Sequence, residues 1–157
     1  MSAPTGIAEI WIDAPTATVW QLVSDIGNLA RYSPETVRTE WTNGSTRAVA
    51  GATFRGFNDD GTNQWHADCV ITELVAGEVF AFGVAPDDHG RFATTWRYTI
   101  RADGTGTYLT ESFEAPILLN AASPPAQNPN RAKEMVGMLH ATLAYIKADA
   151  EAGGRRR

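Results

Sequence analysis

The segment Arg131 to Ala150, RAKEMVGMLHATLAYIKADA, decides the fold, because no other stretch of the chain keeps a helical period for so long. Met135, Leu139, Thr142, Leu143, Ile146 and Ala150 recur on one stripe, while Lys133, His140, Lys147 and Glu151 fall on the opposite side. Pro129 suits a first turn, with Asn128 as candidate cap, and Gly153 and Gly154 are expected to stop the helix. At 1.5 Å per residue such a helix is roughly 30 Å long. Its apolar stripe needs a partner of matching length, and the rest of the chain can supply one only as a sheet.

The sheet is read through its hairpins, since loop length fixes which residues share a face. A turn at Ala76-Gly77 pairs Val75 with Glu78, Glu73 with Phe80, Ile71 with Phe82 and Cys69 with Val84, on one face with Trp65 and Ala67. His66, Asp68, Val70 and Thr72 then point the other way. A second hairpin turns at Asp103-Gly104 or over Asp103 to Gly106. Either even loop groups Phe92, Thr94, Trp96, Tyr98 and Ile100 with Thr107, Leu109, Glu111 and Phe113. Arg97, Thr99, Arg101, Thr110, Ser112 and Glu114 make the opposite, solvent face.

Three further strands are expected. In residues 7–13 Ile10 and Ile12 share a face, and in Thr36–Thr42 Val37, Thr39 and Trp41 do so. In AGATFRGFND, Phe54, Gly56 and Asn58 alternate against Thr53, Arg55 and Phe57. Pro15 opens a short helix with Val19, Trp20 and Val23 on its stripe, and Asp25 caps a second turn from Ile26. The order is strand, two short helices, six strands, long helix. That is an α+β architecture in which a curved antiparallel sheet of about seven strands wraps around the C-terminal helix.

Composition bounds the function. The 157 residues, 43% hydrophobic and 20% charged, suit one globular domain over 1–152 with a basic tail at 153–157. A net charge of −5 speaks against a nucleic-acid partner, and no apolar run is long enough for stable membrane insertion. With a single cysteine, Cys69, no internal disulfide forms, and the expected location is the cytoplasm. The histidines His66, His89 and His140 are scattered, and Asp87-Asp88-His89 reads as a solvated turn, so no metal is expected. Phosphate-loop, dinucleotide and serine-hydrolase motifs are absent, and Ser24 and Ser33 near Asp25 and Arg31 read as capping and turn residues.

Several stretches carry a resemblance: APTATVWQLVSD with the following YSPE, VAGATFRGFN, Trp65 with Ile71, Glu73, Gly77, Phe80 and Phe82, WRY, Gly106-Thr107, Thr110 to Ser112, and GMLHATLAYIKADAE. In order and spacing they are similar to the START-like, helix-grip superfamily, and within it to its bacterial polyketide cyclase/dehydrase-like or lipid-transport-like branch. The resemblance covers nearly the whole chain. It implies a cavity between curved sheet and C-terminal helix that takes a small hydrophobic or aromatic molecule, with no cofactor.

The residues offered to that cavity are Phe54, Asn58, Trp65, Ile71, Phe80, Phe82, Trp96, Tyr98, Leu109, Glu111 and Phe113 from the strands and Met135, Met138, Leu139 and Thr142 from the helix. The same apolar set equally describes a filled core. Glu111 is the informative polar residue. An even hairpin loop turns it inward, where an apolar setting raises its pKa and suits it, with Tyr98, to acid–base work on a carbonyl or enol. The competing reading is a buried carboxyl satisfied by Tyr98, Asn58 or a backbone donor, and a three-residue loop would turn Thr110 and Ser112 inward instead. Three functions are therefore carried forward: a binding protein for a small apolar ligand, monomer or homodimer; a cofactor-independent polyketide cyclase/dehydratase; and a protein-interaction domain with a collapsed cavity.

Overall fold

The structure, a computed structural model, describes residues 5–115 and 129–155. Seven strands, β1 (Thr5–Ile12), β2 (Thr36–Thr42), β3 (Thr53–Asp59), β4 (Gln64–Val75), β5 (Val79–Pro86), β6 (Phe92–Asp103) and β7 (Gly106–Glu114), form one sheet in the order β1-β7-β6-β5-β4-β3-β2. Every neighbouring pair is antiparallel. Two short helices, α1 (Thr16–Val23) and α2 (Gly27–Tyr32), connect β1 to β2, and the long α3 (Arg131–Arg155) packs along β1 and β7. This is the expected α+β helix-grip, with the curved sheet closed around its C-terminal helix. No helix among the described residues is long and apolar enough to cross a membrane.

The α3 stripe is the one the sequence indicates: Met135, Leu139, Thr142, Leu143, Ile146 and Ala150 are all buried. Its ends differ. The helix begins at Arg131, two residues after Pro129, and the carbonyl of Asn130 accepts the first backbone bond, from Glu134 at 3.0 Å. Asn128 lies outside the described residues. At the other end the helix runs through Gly153 and Gly154 to Arg155 instead of stopping. Gly153 does not adopt the left-handed conformation of a helix stop, and a helical glycine costs only about 1 kcal/mol. Polar ties hold α3 down along its length: Lys147 Nζ donates to the Trp11 carbonyl at 2.8 Å, Glu151 accepts the Asp13 N–H at 2.9 Å, and Asp149 takes both Tyr32 and Arg31.

Pro15, extended at φ −62°, sets the entry to α1, and its carbonyl accepts from Thr18 and Val19. Asp25 Oδ1 receives the Gly27 N–H at 2.9 Å, but α2 starts one residue later than expected, so Ile26 holds the cap position and no side chain caps the helix. In β7 and β6 the hairpin is even: Asp103 pairs with Gly106, and Gly104 takes the positive φ (58°) that the two-residue turn requires. Tyr98 therefore faces Glu111 and Trp96 faces Phe113.

Three expectations about which residues share a face fail, the first two at an irregularity of the ladder. Between Ile71 and Glu73 a bulge at Thr72 adds a residue to β4, so Leu74, not Glu73, opposes Phe80, and Val75 opposes Val79, not Glu78. Cys69/Val84 and Ile71/Phe82 hold, because the bulge lies on the turn side of them. Glu73 turns outward and pairs with Arg97 at 2.7 Å. A second bulge, between Thr36 and Arg38, throws Val37 out to 60% exposure, away from Thr39 and Trp41. Finally, the Phe92 ring lies over Gly83, where a β-carbon would meet it at 2.4 Å. Gly83 alternates with the core residues Phe82 and Val84, so Phe92 covers the outer face.

Candidate functional site

The inner face of the sheet is a chain of rings. Trp41 and Phe54 meet with centroids 6.2 Å apart, Phe54 and Phe82 at 5.5 Å, Phe82 and Phe80 at 5.9 Å, and Phe80 and Tyr98 at 6.5 Å. A separate pair, Trp96 and Phe113, sits at 5.3 Å. Strand pairing produces this path: Phe54 lies opposite Cys69, Ile71 opposite Phe82, Phe80 opposite Tyr98, and Tyr98 opposite Glu111. Each edge or tilted ring contact adds about 0.5–1.5 kcal/mol beyond area burial. The chain of apolar rings ends on a carboxyl.

Glu111 is 4% exposed. On β6 its neighbour is Tyr98, the one side chain whose polar group bears on the carboxyl, and on β1 its neighbour is the small, buried Ala8. Oε1 has no hydrogen-bond partner among the described residues. Burial pushes the carboxyl from its usual 4.5 up to about 8, and the Tyr98 bond offsets part of that rise. The Tyr98 hydroxyl is in turn driven well above its ordinary value, first by burial and then by the charge and hydrogen bond of Glu111. At neutral pH this is a protonated acid with one uncommitted oxygen in an apolar interior.

The other residues singled out by the sequence separate into three groups. Phe54, Ile71, Phe80, Leu109, Met135 and Leu139 are sealed in the core, and Phe82, Tyr98, Phe113 and Thr142 are nearly so. Trp96 and Met138 are half-buried and pack against that core. Trp65 and Asn58 are paired neighbours on β4 and β3 outside the buried cluster, and the Asn58 carbonyl is taken by the Thr36 hydroxyl at 2.8 Å. Asn58 forms no bond to Glu111 Oε1, which has no partner among the described residues.

Sequence reasoning missed Gly6, Ala8 and Ile10, which β1 brings beside Phe113, Glu111 and Leu109. No local signal pairs strands about a hundred residues apart. The Phe113 ring lies on Gly6, where a β-carbon would meet it at 2.4 Å, so only glycine fits. Also missed is the ion pair of Arg131 with Glu35, two-pronged at 2.6 and 2.8 Å and with both side chains nearly buried, which ties the start of α3 to the segment after α2.

Other reactive groups are occupied. Cys69 is buried with its thiol pushed up to about 12 by desolvation, so it is no nucleophile at neutral pH. Asp87 accepts from the N–H groups of His89 and Arg91 and pairs with the Arg91 side chain, which lowers its pKa and makes 87–91 a self-satisfied turn. No group of three His, Cys, Asp or Glu among the described residues is placed to hold a metal.

Comparison with solved structures returns the same architecture. A polyketide-cyclase-like protein of Corynebacterium glutamicum superposes with a TM-score of 0.65 at 23% identity, covering 99% of this chain and 96% of its own. The di-domain aromatase/cyclase StfQ of the steffimycin biosynthetic pathway gives 0.74 at 10% identity, over 98% of this chain and 52% of that one. A protein from Colwellia psychrerythraea, solved as a dimer, gives 0.66 at 14% identity over 95% and 97%. Curated protein sequences yield no match. Residues 8–151 match the family described as polyketide cyclase / dehydrase and lipid transport, and the chain belongs to that family.

Proposed function

We propose that this protein binds a small hydrophobic or aromatic molecule between the inner face of the sheet and α3, with Glu111 meeting a polar atom of the ligand. One observation carries the reading: a carboxyl 4% exposed, with Oε1 unpartnered among the described residues, at the end of a run of aromatic rings. A buried polar atom without a partner costs about 1–3 kcal/mol, a penalty that a ligand atom removes on binding. Family membership supports a fold of the hydrophobic-ligand-binding kind. Native mass spectrometry of protein recovered from a cell extract tests it. A stoichiometric apolar or aromatic compound, released on denaturation, is expected; persistent failure to retain or bind any apolar compound would remove the carrier reading.

A second reading rests on the pKa of about 8. A carboxyl poised near neutrality, hydrogen-bonded to Tyr98, is suited to move protons on a folded poly-β-carbonyl chain, as a cyclase/dehydratase requires. If Glu111 is that acid, Glu111→Gln lowers turnover by about 100-fold or more while binding changes only a few fold. If it only orients ligand, any turnover found survives the substitution.

A further inference from the structure

Resting on the binding reading above, the geometry points to the chemical class of the ligand: we infer that it is uncharged and presents a carbonyl-type oxygen, which accepts a hydrogen bond from Glu111 Oε1. The surroundings of the carboxyl set what it can bind. Oε1 has no hydrogen-bond partner among the described residues, and Tyr98, opposite on β6, is the polar side chain that bears on the carboxyl. From β1 the neighbour is Ala8, flanked by Gly6 and Ile10, and α3, packed along β1 and β7, buries an apolar stripe that includes Thr142. Among the described residues, Tyr98 is the one titratable or charged group that bears on Glu111; the buried Cys69 lies three strands away. No cation balances a carboxylate here, and one phenolic donor does not replace the hydration an anion loses on burial.

The group is consequently the neutral acid near pH 7, a donor through its O–H. A neutral donor in an apolar, ring-lined interior selects an acceptor oxygen on an uncharged ligand. A cationic amine would have to deprotonate it first. An anion would meet no counter-charge from the groups around the carboxyl.

Three naphthalene probes of similar shape separate these cases: acetonaphthone, ethylnaphthalene and naphthylmethylamine. Their affinities are read by titration calorimetry from about pH 6 to 9.5, and methyl NMR shifts at Leu109 and Leu139 locate each probe; one hydrogen bond predicts that the ketone outbinds the hydrocarbon by about tenfold at the acid end. That advantage disappears as pH rises through about 8, the pKa of the carboxyl. In Glu111→Gln, whose amide N–H still donates, the advantage persists at every pH. Equal binding of ketone and hydrocarbon at low pH overturns the inference and leaves the binding reading standing. So does an ammonium probe that binds tightest and gains affinity up to about pH 8. Failure of all three probes to bind overturns both.

Discussion

Glu111 makes a thermodynamic prediction independent of any ligand. Its pKa is about 8 in the folded protein against an ordinary 4.5, so folding above pH 4.5 takes up a proton. The stability associated with this group is fully present below about pH 4.5 and is lost as pH rises through about 8. The loss approaches 1.4 kcal/mol per pH unit within that window, or about 5 kcal/mol in all. Urea unfolding of the native protein and of Glu111→Gln across pH 5 to 9 should show a difference that shifts toward the variant by about that slope; parallel profiles would mean an ordinary, solvated carboxyl. Because the Tyr98 bond lowers the Glu111 pKa, Tyr98→Phe should raise the midpoint further, and a fall would contradict the assigned donor. This residue was legible in the sequence. The parity of the β6–β7 turn alone placed it inward; the length of the turn left Trp96 or Tyr98 opposite it, and the structure has Tyr98 there.

At the scale of elements, α3 is positioned by polar ties at both halves, and the Arg131–Glu35 pair is the one nearest its start, with side chains 11% and 12% exposed. Removing one partner strands a charge in a poorly solvated place. Arg131→Met should cost about 3 kcal/mol in chemical unfolding, and Arg131→Met combined with Glu35→Gln should recover much of it. Additive losses would show that the two groups do not depend on each other. This pair was invisible in the sequence, since 96 residues separate its members and nothing local links them. The β4–β5 hairpin was half legible for a related reason: alternation survives from Cys69 to Ile71, and a single bulged residue at Thr72 then shifts Glu73 out and Leu74 in. A bulge leaves no mark in a run of β-formers. The glycine pair 153–154 misled in the opposite sense, since glycine permits a stop without imposing one.

For the molecule as a whole, the distinction that matters is between residues that hold the grip together and residues that meet a ligand. Phe80, 0% exposed and in contact with Phe82 and Tyr98, belongs to the first kind, and Phe80→Ala should cost about 3–5 kcal/mol. Trp96 is half-buried, so Trp96→Ala should cost less stability than Phe80→Ala, while weakening binding of an apolar probe. Equal losses of stability would make Trp96 plain core. The fold itself was readable because strand alternation, hairpin turns and one amphipathic helix all agree on a sheet that needs covering. Closure of β1 on β7 was not, and that closure brings Ala8 beside the carboxyl. The central claim is that this fold carries a neutral acid on its inner face, and a carbon-13 titration of the glutamate carboxyls, assigned by Glu111→Gln, addresses it directly. One resonance should titrate at about 8, far from its ordinary 4.5, and disappear in the variant. A Glu111 midpoint near 4.5 would contradict the account.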